Sequence, residues 1–454
     1  MSDSRPAGHS PDTKIATHVA SQINAPWILT QDSARRVLEN HCLLIDKGQI
    51  VALLPQNQTQ YQPREIIDLP HHVLMPGLIN AHGHASMSLF RGLADDLPLM
   101  TWLNDHIWPA EGRWVNDDFT RDGALLAMAE MIRSGTTCFS DMYFFPNVVA
   151  RAVNDVQMRA QLAFPILDFP STWAQNADEY LRKGLQVHDD FRNHELIQIG
   201  FGPHAPYTVS DGPLQKVLAL SAETNIPIQM HIHETAFEVE DAAQKSGKRP
   251  LQRLHELGLL SPHLQAVHMT QLTDHEITLL AQTGTHVIHC PESNLKLASG
   301  FCPVAKLLEA GVNVALGTDG AASNNDLDMF GEMRTAALLA KGVAQNPSAL
   351  PAHQALAMAT INGARALGID HITGSLETGK AADLIAVKLD DVTCQPFYHL
   401  ESQLVYSTPS SQVTDSWVAG KRLMKNRELT TIDLPAVLQR TAEWKQKIAA
   451  GDRS

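Results

Sequence analysis

Residues 73–87 read VLMPGLINAHGHASM, an apolar run that ends in two histidines one residue apart. Side chains at i and i+2 of an extended backbone project to the same side, so a strand ending here aims His82 and His84 at one point. Such a pair supplies half of a metal site. With 22 histidines in 454 residues, chance alone gives roughly one His-x-His, and a second occurs at His231 and His233. The motif therefore gains meaning only if distant residues complete it.

The sequence that follows residue 73 has the pattern of a parallel sheet covered on both faces. Short, largely apolar segments alternate with amphipathic stretches that end in Gly or Asn. Eight such segments occur, at 73–82, 136–142, 159–168, 196–204, 226–234, 264–269, 285–290 and 312–319. Eight β/α units over about 250 residues are typical of a closed (β/α)8 TIM-type barrel, an α/β fold whose catalytic residues gather at the carboxyl ends of the strands.

The two ends of the chain have a different character. Residues 17–69 contain short strands and turns, and they include a hairpin predicted around Lys47-Gly48. Strand-like sequence returns after residue 369. We therefore predict a composite β-sandwich domain from 12–72 and 370–432, a barrel over 73–369 and a surface helix over 433–454.

Composition and charge narrow the possible partners. Hydrophobic residues make up 44% of the chain and charged residues 19%, as in ordinary globular proteins, and no window approaches the ~18 apolar residues of a membrane span. The formal charge of −14 opposes binding to phosphate backbones. Five scattered cysteines and an N-terminus without an apolar segment predict a soluble cytoplasmic protein. We expect no nucleic-acid or membrane partner, and the segment FFPN at 144–147, expected to be exposed, favours a homo-oligomer.

The ends of the predicted barrel strands carry residues suited to a catalytic metal. His82 and His84 end strand one, His231 or His233 ends strand five, and Asp319 ends strand eight. Three imidazoles and a carboxylate can hold Zn²⁺ and leave room for water, whose pKa the cation lowers from near ~16 towards ~7. Spacing alone leaves the choice between the two histidines of strand five open.

Further polar residues at these strand ends suit proton transfer. Glu234, three residues after His231, could pass a proton to a substrate nitrogen, and a helix-capping or solvated acid is the alternative. His268 on strand six could polarise the reacting group or could be packed in the core. Strand four ends at His204 and lacks the Lys or Glu that bridges two metal ions, so one zinc per subunit is expected. The ligand set would also suit Fe²⁺ or Mn²⁺.

These motifs together resemble the amidohydrolase superfamily. The resemblance is carried by HGH at 82–84, by His231 with Glu234, by His268 and by TDGAASNN at 318–325. Longer stretches resemble the 5′-methylthioadenosine/S-adenosylhomocysteine deaminases, and the similarity covers nearly the whole chain. These stretches are 86–111, 200–207, 291–300 and 317–334.

The resemblance implies a hydrolytic deamination and a role for each site residue. His82, His84, His231 and Asp319 would bind the metal, which settles the choice on strand five. Activated water would attack C6 of adenine while Asp319 takes its proton, His268 assists at the attacked carbon and Glu234 protonates N1. Glu111 and His204 would contact the nucleoside, and Trp102 and Ser323 would form walls of the purine and 5′-substituent pocket.

Strand three favours a substrate with an uncharged 5′ group. Some relatives place an arginine suited to an amino-acid carboxylate there, whereas this strand reads Ala163-Phe164-Pro165. An apolar pocket offers no partner to a buried carboxylate. We therefore predict 5′-methylthioadenosine as the preferred substrate, with S-adenosylhomocysteine or adenosine as further ones. The alternatives are a barrel hydrolase for guanine, a pterin, cytosine or a chlorotriazine, and a non-catalytic assembly protein on the same scaffold.

Overall fold

The computed structural model describes residues 17–57 and 60–451. Residues 12–16 of the predicted sandwich and 452–454 of the predicted closing helix lie outside this part. In chain order the described strands are β1 (Thr17–Leu29), β2 (Val37–Asp46), β3 (Gln49–Pro55), β4 (Tyr61–Asp68), β5 (His72–Pro76), β6 (Leu78–Asn80), β7 (Thr136–Met142), β8 (Arg159–Ile166), β9 (Ile197–Pro203), β10 (Ile228–Ile232), β11 (Leu264–His268), β12 (His286–His289), β13 (Val314–Leu316), β14 (Leu384–Lys388), β15 (Val413–Val418), β16 (Lys421–Lys425) and β17 (Glu428–Leu429).

Both ends of the chain contribute to one sheet, which has nine strands among the described residues. Antiparallel pairing of β14 with β5 joins the two ends, with Leu384 opposite Pro76. The predicted hairpin is present as β2 and β3, and its turn residues Lys47 and Gly48 have φ values of 47° and 79°, as tight hairpin turns require. The sheet encloses an apolar core of its own that includes Ile23, Leu43, Leu74, Leu384 and Trp417. The composite domain predicted from the sequence is confirmed.

Strands β6 to β13 form the barrel and pair in parallel in chain order. The first and last of them meet through two main-chain hydrogen bonds. Ala81 N–H donates to the Leu316 carbonyl at 2.9 Å, and Asp319 N–H donates to the His82 carbonyl at 3.1 Å. This seam confirms the barrel and places the residues that follow β6 directly beside those that follow β13.

The run 73–82 forms two strands, so the prediction of a single barrel strand there is wrong. β5 belongs to the nine-stranded sheet and β6 to the barrel, with Gly77 between them. A Cβ on Gly77 would lie 2.0 Å from Thr137 Oγ1, so only glycine fits where the chain passes from one sheet to the other. Apolar periodicity does not reveal the break because both strands are fully buried. The predicted domain limits stay a prediction.

Helices surround the barrel and close its carboxyl end. They are α1 (Leu99–Thr101), a π-helical segment (Trp102–Ile107), α2 (Trp108–Trp114), α3 (Asp117–Ser134), α4 (Pro146–Val156), α5 (Ala177–Phe191), α6 (Asp211–Thr224), α7 (Ala236–Ser246), α8 (Pro250–Glu256), α9 (Asp274–Thr283), α10 (Pro291–Lys296), α11 (Val304–Glu309), α12 (Met329–Ala344), α13 (Ala352–Met358), α14 (Ile361–Ala366), α15 (Leu400–Tyr406) and α16 (Leu434–Gly451), with 3-10 turns at Ala85–Phe90, Val392–Cys394 and Ser410–Gln412. Within the described chain, none of these helices has the length and apolar character needed to span a membrane.

Two predicted surface features have different outcomes. The closing helix is present as α16, and its Trp444 packs on Phe119 while its indole N–H donates to Asp122 Oδ2 at 3.0 Å. The segment FFPN is not exposed. Phe144 and Phe145 are half-buried against the apolar core, and Pro146 is buried. The expectation of an exposed aromatic segment is therefore wrong, because Phe144 and Phe145 pack against the apolar core at the mouth of the barrel.

Candidate metal centre and active site

Four side chains converge at the carboxyl end of the barrel. His82 Nε2 lies 3.1 Å from His231 Nε2 and 3.5 Å from Asp319 Oδ1, and His84 Nε2 lies 3.1 Å from the same oxygen. These are the four residues that the sequence predicts as metal ligands. The side chain of His233 turns away from them, and its Nε2 accepts a hydrogen bond from Leu251 N–H at 3.1 Å.

Hydrogen bonds to the other ring nitrogen show which atom of each histidine is free to bind a metal. Every Nδ1 faces an oxygen acceptor: that of His82 lies 2.7 Å from Gln229 Oε1, that of His84 2.6 Å from the Met142 carbonyl, and that of His231 2.9 Å from the His204 carbonyl. Nδ1 therefore carries the hydrogen and Nε2 presents a lone pair.

The spacing of these free atoms fits a divalent metal. Lone pairs and a carboxylate oxygen that face one another at 3.1 to 3.5 Å repel unless a cation lies between them. Donor atoms about 3.3 Å apart are what bonds of about 2.0 Å give in a tetrahedral zinc site. The donor set, three imidazoles and one carboxylate, is one that zinc prefers.

Hydrogen bonds to both carboxylate oxygens hold Asp319 in place. Oδ2 accepts from the Ser293 hydroxyl at 2.7 Å and from the Ser323 hydroxyl at 3.0 Å, while Oδ1 accepts from Gly320 N–H at 2.8 Å. Ser323 is buried behind Asp319 and does not line the cavity, so the prediction of a pocket wall is wrong for this residue. Ser323 follows in the turn after Asp319, where Ser323 N–H donates to the Gly320 carbonyl at 2.9 Å, and this turn brings its hydroxyl back to the carboxylate.

Glu234 and His268 lie beside the metal ligands. His268 Nε2 is 3.8 Å from Glu234 Oε2, and both side chains are buried. His268 Nδ1 lies 2.9 Å from Asn294 Oδ1, which fixes the plane of the ring. Burial, reinforced by the charge of Asp319, raises the pKa of Glu234 to about 8. This direction favours the protonated form of the carboxyl group, which is the form that a general acid requires.

One cavity is lined by three of the four predicted ligands, His84, His231 and Asp319, by the predicted nucleoside contacts Glu111 and His204, and by the predicted wall residue Trp102. Burial raises the pKa of Glu111 to about 7, although the Tyr143 hydroxyl beside it acts in the opposite direction. Burial lowers the pKa of His204 to about 3, so this ring is neutral, and its Nδ1 lies 3.0 Å from Thr208 Oγ1. The Trp102 indole N–H donates to the Ala94 carbonyl at 3.1 Å, which fixes the ring in the cavity wall.

The rest of the cavity is largely apolar, with Tyr143, Ser171 and Thr172 as further polar residues, and sequence reasoning missed most of it. Its wall includes Met87, Leu99, Leu103, Ile107, Trp108, Phe144, Pro165, Leu167, Phe169, Tyr207 and Leu297. Among the described residues that line it, none is Lys or Arg. Pro165 and Leu167 lie two positions apart at the end of strand three, so the alternation that identified His82 and His84 could have found them.

The sequence analysis also missed Gln229, which the same i, i+2 alternation along a strand could have identified. It precedes His231 by two residues on β10 and so projects from the same face of the strand. Its amide accepts from His82 and donates to the Ala81 carbonyl at 3.0 Å and to Gln265 Oε1 at 2.8 Å. Gln229 therefore fixes the orientation of the His82 ring, a predicted metal ligand.

Comparison with known proteins agrees with this geometry. The amidohydrolase family model matches residues 73–423. A 5-methylthioadenosine/S-adenosylhomocysteine deaminase from Saccharophagus degradans is 55% identical over 430 residues, which are 94% of this chain and 96% of that protein. A protein of the same name from Teredinibacter turnerae is 52% identical over 96% of this chain and 99% of its own length.

A solved crystal structure also matches this chain over nearly its whole length. The crystal structure of an adenosine deaminase from Xanthomonas campestris with bound zinc is 47% identical to this chain and superposes with a TM-score of 0.94, covering 96% of this chain and 99% of its own. The chain therefore belongs to the amidohydrolase family. Within that family it is one of the 5-methylthioadenosine/S-adenosylhomocysteine deaminases.

Proposed function

We propose that this protein is a metal-dependent hydrolytic deaminase that converts 5′-methylthioadenosine to the inosine analogue and ammonia. The observation that carries the proposal is that a buried acid, Glu234, shares one cavity with His84, His231 and Asp319 of the ligand cluster and with the half-buried carboxyl group of Glu111. The names of the relatives, including a 5′-deoxyadenosine deaminase from Methanothermobacter thermautotrophicus at 44% identity over 82% of this chain and 87% of that protein, support the same substrate class.

Glu111 is the group that distinguishes a nucleoside from a free base. An ionised carboxylate can accept two hydrogen bonds, one from each hydroxyl of a ribose. The neutral His204 ring lines a polar side of the same cavity. The Trp102 ring, fixed by its hydrogen bond, lines an aromatic side. A free base offers no vicinal hydroxyls, so it would donate no such pair of hydrogen bonds to Glu111.

The residues around the cluster can perform each proton transfer of the reaction. His82, His84, His231 and Asp319 would hold one Zn²⁺ per chain, and zinc, when bound, acidifies a water molecule. Asp319 takes the proton that water loses as its oxygen adds to C6. Glu234 donates its proton to N1, and His268, beside Glu234, hydrogen bonds on the side of the attacked carbon. The hydroxyl formed at C6 returns its proton to Glu234 as the C6=O bond forms. The exocyclic amine leaves as ammonia with the proton held by Asp319, and N1 keeps its hydrogen.

The apolar wall favours a thioether at the 5′ position. Pro165, Leu167 and Phe169 line the cavity, and neither Lys nor Arg does so in the described chain. The amino-acid group of S-adenosylhomocysteine would bring a carboxylate to a surface without a cation, which is unfavourable. We expect a higher kcat/KM for 5′-methylthioadenosine than for S-adenosylhomocysteine.

An ultraviolet deamination screen tests the proposal directly. Zinc-loaded protein is assayed with adenosine, 5′-methylthioadenosine, S-adenosylhomocysteine, adenine, guanine and cytosine. We expect turnover of the three nucleosides, highest for 5′-methylthioadenosine, and none of the free bases. Turnover of guanine or cytosine alone would favour a hydrolase for another ring, and inactivity on all six by protein that binds zinc would favour a non-catalytic role.

A further inference from the structure

The turn that carries the general acid is held at four of its main-chain atoms. Glu238 Oε1 accepts a hydrogen bond from His233 N–H at 3.0 Å, and its Oε2 accepts from Glu234 N–H at 2.8 Å. On the other side of the turn, Thr270 N–H donates to the His233 carbonyl at 3.0 Å, and the Thr270 hydroxyl donates to the Glu234 carbonyl at 2.7 Å. We call these contacts the 233–234 clamp.

The turn needs this support because its backbone is strained. His233 has a φ of 53°, in the left-handed region that residues other than glycine seldom adopt. Such a conformation costs on the order of 1 kcal/mol and persists only where the surroundings impose it. If the clamp is released, the turn relaxes and Glu234, the next residue, moves with it.

Glu238 departs from the ordinary behaviour of a residue at its position. It stands in the first turn of α7, and its N–H donates to the side chain of the N-cap residue Thr235 at 3.3 Å. In a complete capping box the third-position acid returns to the N-cap N–H. Here the carboxylate reaches past the N-cap to the two preceding amides. The contact therefore fixes the active-site turn in addition to the helix end.

We propose that Glu238 is a positioning residue for the reaction, and that its carboxylate holds Glu234 where the proton must be delivered. The inference rests on the proposed deamination. Two acceptor oxygens are required, because each oxygen of the Glu238 carboxyl group accepts one of the two N–H groups. Burial raises the pKa of this group to about 8, and the two N–H groups act in the opposite direction. The amide of a glutamine offers one acceptor and turns its own N–H towards the other donor. An aspartate is one methylene too short to reach both amides.

The variant Glu238→Gln keeps the size of the side chain and removes one of the two acceptors. We expect kcat to fall on the order of 10²-fold, since a displacement of about 1 Å at a catalytic group has that effect. KM should change by less than about threefold, because Glu111, His204 and Trp102 are untouched. Bound zinc, measured by elemental analysis, should stay at the level of the unaltered protein. Glu240→Gln is the matched control, since Glu240 lies on the same helix but is exposed, and it should leave both constants unchanged.

Thr270 gives a second test on the opposite side of the clamp. Thr270→Val removes the hydroxyl at constant shape and should lower kcat more than it raises KM, while Thr270→Ser, which keeps the hydroxyl, should restore most of the loss. If Glu238→Gln fails to fold, the comparison of Thr270→Val with Thr270→Ser tests the role of the clamp without it. A kcat within twofold of the unaltered protein in both Glu238→Gln and Thr270→Val would overturn the proposal, as would a loss that is confined to KM.

A crystal structure of Glu238→Gln separates this inference from the proposed function. We expect the 233–234 turn to shift and φ of His233 to leave the left-handed region. An unchanged turn overturns the role of Glu238 even if the protein proves to deaminate nucleosides. A shifted turn in a protein that deaminates no nucleoside would support the clamp and reject the deaminase.

Discussion

At the scale of single residues, a substitution of Glu234 should affect proton transfer without affecting metal binding. Glu234→Gln removes the acidic proton but none of the predicted metal ligands, so zinc content should be unchanged. A positioned general acid contributes about 10²- to 10⁴-fold, and kcat should fall by that amount. Zinc analysis and steady-state kinetics on the same sample measure both effects. Near-normal turnover would remove Glu234 from the mechanism, and loss of zinc would mean that it is a ligand instead.

Glu111 should give the KM a dependence on pH. Burial raises the pKa of Glu111 to about 7, so the carboxylate that accepts two ribose hydroxyls predominates above that pH and its neutral form below it. KM for 5′-methylthioadenosine should therefore rise as the pH falls from about 8 to about 6. In Glu111→Gln, KM should be about tenfold higher and independent of pH over the same range. A KM that falls on acidification would contradict the assignment.

At the scale of secondary-structure elements, the seam between β6 and β13 builds the metal site. It places His82 beside Asp319, and Gly317 lies where the two strands are closest. A Cβ on Gly317 would stand 2.7 Å from the His82 nitrogen and 2.9 Å from its carbonyl oxygen. Gly317→Ala should displace His82, lower zinc affinity about 10- to 100-fold and lower the melting temperature. Competition with a chelator and thermal denaturation measure these effects.

Gly342→Ala is the control for that substitution. A Cβ at Gly342, in α12, meets no atom within 4 Å. Because alanine favours a helix over glycine, this variant should match or exceed the stability of the unaltered protein by up to about 1 kcal/mol, and it should bind zinc normally. Equal zinc affinities in the two variants would show that the seam does not set the geometry of the site.

The same elements show what the sequence could and could not predict. Most of the predicted ligand set followed from position, because His82 and Asp319 each end an apolar run and strand ends share one face of a barrel. The choice of His231 over His233 on strand five came from the family resemblance and not from spacing. The break at Gly77 was not, because β5 and β6 are equally apolar and only contact with Thr137 distinguishes them. Ser293, Gln229 and Glu238 were missed because they act through hydrogen bonds to other site residues, and such pairings depend on the tertiary fold rather than on local pattern.

At the scale of the whole molecule, a buried ion pair joins the barrel to the nine-stranded sheet. Arg159, at the start of β8, donates to both carboxylate oxygens of Asp383, at 2.7 and 3.3 Å. Asp383 precedes β14 and also accepts from Ala419 N–H at 2.7 Å. Its main-chain carbonyl accepts from Gly77 N–H at 3.2 Å. Through its side chain and its main-chain carbonyl, Asp383 therefore connects the barrel, the nine-stranded sheet and the junction between them.

Removing either partner of this pair should destabilise the protein strongly. Arg159→Met leaves the Asp383 charge buried without its cation, and the expected cost is about 3 to 5 kcal/mol in the free energy of unfolding. The double variant Arg159→Met/Asp383→Leu buries no charge and should lose less than the sum of the two single changes. Urea unfolding of the unaltered protein, the two single variants and the double variant gives the coupling energy.

Lys306→Met is the control, because its ion pair with Asp274 is exposed and should contribute less than about 1 kcal/mol. Additive effects in the Arg159 and Asp383 cycle would mean that the two side chains do not stabilise the protein as a pair.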